Sequence, residues 1–328
     1  MISEKLFRKL FPPRKLLVVY EEYDPTEFIN KLNTRKDKYK VEQKINVSAG
    51  LDIVEKEIKK YEGVVIYDVH SETRNKILKF CYGNDIRAYS TTKVSDILIR
   101  GAESLHIFDT PLLLYRNHGL SFEQRFLKRT MDILVSALML LITSPIFLVA
   151  SIAIKLYDGG PVFYRQARCT MNGKVFHIFK FRSMIVDAEK DGKSQPAADH
   201  DPRITPVGRI LRATRLDELP QLIDILIGNM SLVGPRPERV EHVEKYTEDL
   251  AEFEYRLKVR GGLTGYAQIY GKYNTSPYDK LQLDLIYIQN YSIFLDIKLI
   301  LMTIKIMFMK ESTEGFTEEQ RKDIQEKE

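Results

Sequence analysis

The chain has 328 residues, of which 44% are hydrophobic, and its 50 basic and 45 acidic residues leave a formal net charge of +5. The length allows two domains of ordinary size, and the apolar content excludes wholesale disorder. Its two cysteines lack CxxC or Cys/His spacing, which excludes a disulfide framework and a structural zinc site. So weak a charge bias gives no reason to expect a nucleic-acid partner.

The N-terminal region predicts a short helix followed by an α/β domain. Residues 1–14 alternate apolar and basic side chains, a pattern compatible with an amphipathic membrane-surface helix and equally with a solvated terminus. Over 15–118, β-rich runs alternate with helical patterns, which predicts βαβ units, a parallel sheet and a Rossmann-like fold. The predicted strands cover 15–20, 40–47, 63–70 and 86–90, and the predicted helices 24–33, 51–60, 71–82 and 93–100.

The turn after the first predicted strand argues against a dinucleotide site. Glu21 and Glu22 stand where a dinucleotide-binding turn needs glycines. Acidic side chains at that place repel a pyrophosphate at a helix N-terminus. We therefore expect this domain to regulate, to dock a partner or to support a homodimer.

An uncharged apolar run covers residues 133–154, after a basic linker predicted at 121–128. At about 1.5 Å per residue the run can cross a bilayer core of about 30 Å, so we predict membrane insertion. Ser144 and Pro145 lie in its middle, where proline removes a backbone hydrogen bond and the hydroxyls of Thr143 and Ser144 are candidate partners for the freed groups. Basic residues flank both ends. The positive-inside tendency then favours a re-entrant helix-break-helix at the cytoplasmic face of the inner membrane, a monotopic arrangement, over a single span.

Residues 159–310 predict a mainly helical α+β catalytic domain. Alternation over 161–184, around an Asn-Gly turn, predicts a β-hairpin whose second strand presents Lys180 and Arg182. These two side chains are anion ligands or simply the solvated side of the hairpin. His177, on the same strand, is expected to be structural.

The other segments after the hairpin are simpler. A polar loop is predicted at 186–202. The apolar, lysine-containing segment before residue 310 predicts an amphipathic surface helix, with a core helix as the alternative. The tail, 311–328, is highly charged and expected to be disordered.

The stretch from residue 203 to 237 carries the strongest chemical signal. Asp217 and Glu218 are adjacent, and Pro220 is tolerated only in the first turn of a helix, so a helix is predicted to start close to Asp217. Carboxylates among this many guanidinium groups point to a phosphorylated, metal-associated substrate. The alternative is that Asp217 caps the helix and Glu218 is a solvated acid. The preceding arginines are Arg203, Arg209, Arg212 and Arg215.

Arg236 lies between two prolines that stiffen the backbone around it. A preorganised guanidinium suits bidentate contact with a phosphate, although such an arginine can equally pair with a surface acid. Tyr266, Tyr270 and Tyr273 can stack on a base or sugar, or simply pack.

Five motifs resemble one known family when taken together and in order. They are KRTMDILVSALMLLITSPIFLVASIAIKL, FHIFKFRSM, RLDELPQLIDILIGNMSLVGPRP, VRGGLTGYAQIYG and KLQLDLIYIQNYSIFLDIKLI. Over residues 121–310 the chain resembles the bacterial sugar transferases, which are monotopic polyprenyl-phosphate phosphoglycosyl transferases.

The resemblance implies transfer of a sugar 1-phosphate from a UDP-sugar to undecaprenyl phosphate at the inner membrane, with UMP released. It implies Asp217 as the nucleophile that forms a covalent phosphosugar intermediate, and Glu218 as its acid/base or orienting partner. Mg²⁺ would sit beside Asp217 and the diphosphate. Asp284 matches a functional acid of the family. The candidate phosphate ligands are Arg236, Lys180, Arg182 and Arg215.

Two departures from the family pattern concern substrate preference rather than reaction class: Gly261 replaces a proline and Tyr266 a tryptophan in the motif RPGITGWAQ. Two other functions stay open at this point. One is a membrane-associated binding or regulatory protein, and the other is a glycosyltransferase that makes a glycosidic bond. The latter should carry a DxD motif, and Asp199-His200-Asp201 in the polar loop is judged incidental.

Overall fold

The computed structural model describes residues 12–35, 37–115, 119–186, 188, 201–271 and 275–307. Internal contacts divide the chain into two units, Met1–Lys93 and Val94–Glu328. Most of the amphipathic segment predicted at 1–14, most of the polar loop, Tyr273 and the charged tail lie outside the described residues.

The first unit is built on a parallel sheet of four strands in the order β2-β1-β3-β4. Every strand pair in it is parallel, so the predicted sheet with intervening helices is confirmed. The Rossmann-like assignment itself stays a prediction. The elements are β1 (Arg14–Tyr20), α1 (Thr26–Asn33), β2 (Tyr39–Asn46), α2 (Leu51–Ile58), β3 (Gly63–Tyr67), α3 (Ser71–Gly83) and β4 (Arg87–Ser90).

Both faces of this sheet are buried, as is usual for a parallel sheet covered by helices. Along β1 the side chains alternate between two cores. Leu17 and Val19 pack with Val54 and Ile58 of α2, whereas the intervening residues pack towards Phe28 of α1. The apolar run LLVV, with no polar residue inside it, is the sequence signature of this double burial.

The second unit begins with α4 (Val94–Arg100), which the sequence had assigned to the N-terminal domain. Ile97 is 3% exposed and belongs to the core of the second unit, which explains the difference. An antiparallel hairpin that the sequence did not predict follows, formed by β5 (Glu103–Ile107) and β6 (Thr110–Leu114). Both of its strands are exposed along their whole length.

The long helix α5 (Phe122–Asp158) starts with a capping box. The Ser121 hydroxyl accepts a hydrogen bond from the backbone N–H of Gln124, and the Gln124 side chain accepts one from the backbone N–H of Ser121. The helix ends at Gly159, whose φ of 72 is the left-handed conformation that glycine adopts easily. The residues predicted as a basic linker at 121–128 are therefore helical, because the cap begins the helix at residue 122.

Within the described part of the chain, α5 is the one helix long and apolar enough to cross a membrane. Only 17% of the residues in its most apolar window are buried within the protein. A core helix of a soluble domain would bury its apolar side chains instead. This exposure, seen at Leu134, Leu141 and Leu148, supports membrane association.

The helix continues through Pro145, and the predicted turn back at this point stays a prediction. A proline at position 145 cannot donate to the carbonyl of Leu141, one turn earlier. The hydroxyl of Ser144 donates to that carbonyl at 2.8 Å and replaces the missing partner. Thr143 donates to the carbonyl of Met139 at 2.7 Å. Ser144 thus serves the carbonyl that the proline leaves free, as the sequence suggested, whereas Thr143 bonds a carbonyl that the proline does not affect.

The rest of the second unit surrounds one large hydrophobic core. The predicted hairpin is confirmed, with Asn172 in the left-handed conformation at its turn. The two short strands β9 and β10 pair in parallel. The elements are β7 (Phe163–Cys169), β8 (Val175–Phe181), α6 (Pro206–Ala213), α7 (Gln221–Ile227), β9 (Met230–Val233), α8 (Val240–Asp249), β10 (Gly261–Thr264), α9 (Tyr266–Tyr270), α10 (Pro277–Gln289) and α11 (Ile293–Met307).

The hydroxyl of Ser144 is expected to stabilise α5 only because residue 145 is proline. Ser144→Ala leaves the Leu141 carbonyl unpaired, and we expect a loss of about 1 kcal/mol. In a Pro145→Ala background the new N–H can bond that carbonyl, so the same serine substitution should cost much less.

Thermal unfolding of the four proteins in lipid nanodiscs measures this cycle. Thr143→Ala is the control, since the Met139 carbonyl keeps its helical backbone partner. Equal losses for Ser144→Ala in both backgrounds would contradict the assignment.

Candidate active site

Asp217 and Glu218 lie on a short 3-10 turn, Leu216–Glu218, between α6 and α7. Arg215, just before it, has a φ of 56, so the chain reverses sharply as it enters the turn. The helix predicted to start close to Asp217 begins at Gln221, with Pro220 at its N-cap and no side-chain cap. Asp217 is therefore not the helix cap that the sequence left open.

Two cations from distant parts of the chain meet at Glu218. The Arg236 guanidinium (Nη2) lies 2.7 Å from its Oε1, and the Lys180 ammonium lies 3.0 Å from the same oxygen. Lys180 comes from β8, and Arg236 follows β9. Such charge-assisted bonds are stronger and more directional than neutral ones. The structure thus brings together four predicted site residues: Asp217, Glu218, Lys180 and Arg236.

The backbone leading to Arg236 is held against the neighbouring strand. The N–H of Gly234 donates to the Thr264 carbonyl, and the N–H of Gly262 donates to the Pro235 carbonyl, both at 2.8 Å. A Cβ added to Gly262 would lie 2.1 Å from the Gly234 nitrogen. Only glycine fits this approach, so the Gly-Pro-Arg segment has little freedom to move.

The two adjacent carboxyls have pKa values displaced in opposite directions. Burial acts to raise the pKa of Glu218, but the charges of Arg236 and Lys180 outweigh it and hold that pKa well below its usual range. Burial raises the pKa of Asp217, and the Glu218 carboxylate adds to this, against the opposing effect of Lys180, Arg212 and Arg236. Glu218 is thereby an ionised anchor, whereas Asp217 forms no ion pair with a cation in the part of the chain that the structure describes.

Two predicted phosphate ligands lie elsewhere. Arg182 forms a two-pronged ion pair with Asp158, at the end of α5, and its side chain is 7% exposed. The guanidinium therefore holds the hairpin to the membrane helix. Arg215 lies on the exposed bend before the 3-10 turn.

Asp284, on α10, is buried and bound to one arginine. The guanidinium of Arg256 donates to its Oδ2 from Nε at 2.9 Å, and Nη2 of Arg256 also donates to the backbone carbonyl of Arg236 at 3.0 Å. Asp284 therefore acts on the site through Arg256, which fixes the backbone that carries Arg236. In this geometry it is a positioning residue.

Sequence reasoning missed Arg168 and Gln221, which line a small pocket together with Lys180 and Arg236. Nε of Arg168 and Nε2 of Gln221 are buried, and neither has a hydrogen-bond partner in the described part of the chain. Burial, with the nearby charge of Arg236, lowers the pKa of Arg168 to about 10. Unpaired donors beside several cations suit an anionic ligand.

A signal for Arg168 existed in the hairpin register. Alternation along β7 places Arg168 on the same face as Tyr164, whose cross-strand partner is Lys180. Pairing the strands outward from the Asn-Gly turn would have put the arginine on the same face of the hairpin as the predicted lysine.

The described residues contain no group of three His, Cys, Asp or Glu side chains that could hold a metal. Mg²⁺, however, is commonly bound through one or two carboxylates with substrate phosphates and water. Glu218 is already occupied by two cations, so Asp217 is the protein ligand that this arrangement offers. The site fits a metal that arrives with a phosphorylated substrate.

Comparison with known proteins provides independent evidence about the family of this chain. A family model described as bacterial sugar transferase matches residues 123–310. The chain is 39% identical over 254 residues to a UDP-glucose:undecaprenyl-phosphate glucose-1-phosphate transferase of Klebsiella pneumoniae, covering 76% of this chain and 53% of that protein. It is 42% identical over 211 residues to a protein of the same name from Escherichia coli K12, covering 63% of this chain and 44% of that protein.

A third relative is a UDP-N-acetylgalactosamine-undecaprenyl-phosphate N-acetylgalactosaminephosphotransferase of Aeromonas hydrophila. It is 40% identical over 183 residues, covering 55% of this chain and 43% of that protein. The chain thus spans about half the length of these relatives.

Substituting the two adjacent carboxyls should change stability in opposite directions at pH 7. The raised pKa of Asp217 means that its ionised form opposes folding above its usual range, so Asp217→Asn should raise the Tm by about 2 °C or more. The depressed pKa of Glu218 means that its ionised form stabilises the fold, and this stability is lost only as the pH falls through that depressed pKa. Glu218→Gln should therefore lower the Tm.

Thermal unfolding between pH 7 and about pH 4 tests both signs, since the Asp217→Asn gain should shrink towards the ordinary pKa of aspartate. Asp249→Asn is the control, because Asp249 is exposed at the end of α8. A change of the same sign for both site variants would refute the electrostatic assignment.

Proposed function

Because the chain belongs to the bacterial sugar transferase family, we propose that it transfers a sugar 1-phosphate from a UDP-sugar to undecaprenyl phosphate and releases UMP. The main support for this proposal is the geometry of the carboxylate pair and its cations. Within the matched region, Asp217 lies beside Glu218, which holds Arg236 and Lys180. The names of the relatives specify this lipid acceptor and, in these examples, UDP-linked donors. The product would serve as the first membrane intermediate of a surface polysaccharide or glycan.

The reaction has two displacements at one phosphorus. A carboxylate oxygen of Asp217 attacks the β-phosphorus of the donor, the bond from that phosphorus to the bridging oxygen breaks, and UMP leaves with the electron pair. An oxygen of undecaprenyl phosphate then attacks the same phosphorus. The bond to Asp217 breaks, the carboxylate is restored, and the lipid-diphosphate sugar is released. Carboxylates are established nucleophiles of this kind.

The pKa of Asp217, raised chiefly by burial and also by the Glu218 carboxylate, supports this role, because a more basic carboxylate is the better nucleophile. Glu218 is bound by two cations and its pKa is depressed, which favours an orienting role over proton transfer. We infer that Glu218 fixes Arg236 and Lys180, so that their remaining donors face the phosphate oxygens as charge develops there.

Arg168 adds a third cation and Gln221 a neutral amide donor, since both line the pocket beside Arg236. Mg²⁺, held by Asp217 and the diphosphate, would neutralise charge on the leaving nucleotide. Arg256 and Asp284 keep the Arg236 backbone in place.

Membrane attachment brings the lipid acceptor to the site. We propose that α5 enters the inner membrane from the cytoplasmic face and returns at Pro145, as its basic flanks favour. Helix α11 exposes Phe294 and Leu301, and these line an open apolar groove together with Lys298 and Lys305. That pattern suits a helix lying at an anionic membrane surface.

The released nucleotide distinguishes the proposed reaction from its alternatives. Membranes containing the full chain are incubated with a panel of UDP-sugars, Mg²⁺ and undecaprenyl phosphate, and nucleotides are separated by ion-exchange chromatography. We expect UMP, whose accumulation depends on the lipid phosphate. UDP would indicate glycosyl transfer, and no nucleotide from any donor would favour a membrane-bound binding protein.

A covalent intermediate should depend on Asp217. With a UDP-sugar labelled on the β-phosphorus and no lipid acceptor, we expect labelled protein, and we expect Asp217→Asn to abolish the label. Asp249→Asn, the same chemical change at an exposed site, should keep it. Label that persists in Asp217→Asn would place the nucleophile elsewhere.

A further inference from the structure

The first turns of α5 carry charged side chains that are buried inside the protein, just before the apolar stretch. Lys128 is 5% exposed and Asp132 is 0% exposed. One turn apart, they lie on the same face of the helix. Burying charge is costly unless it is paired, so each of these groups needs a specific partner. Their partners, and those of Arg129, lead to the two sides of the active site.

Arg129 holds the helix that follows the carboxylate pair. Its Nη1 donates to the Ile225 carbonyl at 2.5 Å and its Nη2 to the Leu226 carbonyl at 2.7 Å. These carbonyls belong to the last turn of α7, where helical partners run out. A cation at this end also matches the helix dipole. Because α7 begins at Gln221, directly after the turn with Glu218, Arg129 fixes one side of the site.

Asp132 holds the strand that leads to Arg236. Its Oδ1 accepts hydrogen bonds from the hydroxyl of Ser231 and from the backbone N–H of Leu232, both at 3.0 Å. Both donors belong to β9, which ends at Val233, just before the Gly-Pro-Arg segment. Asp132 therefore fixes the other side of the site.

Lys128 reinforces the same attachment through two further residues. Its ammonium lies 2.6 Å from Oδ2 of Asp296, on α11. Oδ1 of Asp296 accepts a hydrogen bond from the Tyr287 hydroxyl at 2.8 Å, and that hydroxyl also lies 3.2 Å from the Val233 carbonyl. The end of β9 is thus tied to α5 twice.

We propose that Lys128, Arg129 and Asp132 are positioning residues for the transfer reaction. They attach α7 and β9 to the same turns of the membrane helix and so set the placement of Glu218 relative to Arg236. The inference rests on the proposed function. Gly228 and Asn229 join α7 to β9, and Glu218 and Arg236 lie at the two outer ends of this segment, where their side chains meet at 2.7 Å. The contact therefore depends on how α7 and β9 are placed relative to each other. A shift of about 1 Å in such a constellation can cost a factor of about 100 in rate.

Two pairs of variants of the full chain in nanodiscs test the role. Asp132→Ala removes the acceptor for β9, whereas Asp132→Asn keeps an acceptor oxygen. Arg129→Gln removes both bonds to α7, whereas Arg125→Gln makes the same change one turn earlier, at an exposed position. Steady-state kinetics are measured with the UDP-sugar that the wild type accepts, and rates are expressed per folded protein.

We expect kcat to fall about 10- to 100-fold in Asp132→Ala and about 10-fold in Arg129→Gln. KM for the UDP-sugar should change less than about threefold, since misplacement acts mainly on the transition state. Asp132→Asn should recover most of the rate, and Arg125→Gln should match the wild type. If Asp132→Ala fails to fold, the comparison of Arg129→Gln with Arg125→Gln tests the proposal instead. A role in stability alone would leave kcat per folded protein unchanged, and that result would overturn the proposal.

A second measurement does not depend on activity. Glu218→Gln is combined with Arg129→Gln, and the Tm of the double variant is compared with the singles. The two side chains do not touch, so independent sites would give additive losses. We expect a smaller loss from Glu218→Gln in the Arg129→Gln background, because the ion pair there is already misplaced. Non-additive losses without UMP release would refute the proposed function and keep the positioning role. UMP release with additive losses and unchanged kcat would refute the positioning role and keep the proposed function.

Discussion

Glu218 receives two cations on one carboxylate oxygen, and the geometry of the active site depends on that contact. Arg236 follows β9 and Lys180 lies on β8, and both side chains reach Oε1 of Glu218. Arg168 lines the same pocket, so three cations stand against the two carboxylates Asp217 and Glu218, and one positive charge remains in excess. A phosphate-bearing substrate supplies the missing negative charge, which makes the site electrostatically complete only when it is occupied. The same excess explains how Asp217 can stay free of a close partner and still face an anionic donor.

Two buried acids of the second unit, Asp284 and Asp224, differ in role from the carboxylate pair. Asp284 is bound to Arg256, which reaches the Arg236 backbone rather than the pocket. Asp224 accepts a hydrogen bond from the Phe179 N–H, next to Lys180, and so supports the other cation-bearing strand. Both are buried, and each fixes a backbone segment on either side of the carboxylate pair. Asp217 and Glu218, by contrast, are partly exposed.

Local patterns in the sequence predicted the parallel sheet and the Asn-Gly hairpin, since strand period and turn chemistry are local properties. They failed at β5 and β6, whose strands bury neither face and so show no alternation towards a core. They also failed at Lys128, where a basic stretch suggested a linker. Its partner, Asp296, lies 168 positions away, and a contact at that separation leaves no trace in composition. The role of Arg182 was missed for the same reason, because Asp158 belongs to another element. The carboxylate pair was identified from its setting among arginines, but the roles of its two members came from the family resemblance rather than from spacing.

Helix α5 is fixed at one end and weakened in its middle. From Asp132 to Pro145 the helix extends about 20 Å, at about 1.5 Å per residue. When the bilayer is thinner or thicker than the apolar stretch, a membrane helix must tilt, bend or slide. Sliding would break the buried contacts of Lys128 and Asp132, whereas bending at Pro145 breaks no backbone hydrogen bond, because Ser144 already serves the Leu141 carbonyl. Pro145 is therefore the point at which the helix can bend when lipid thickness changes. Bending there leaves the buried contacts at the catalytic end of the same helix in place.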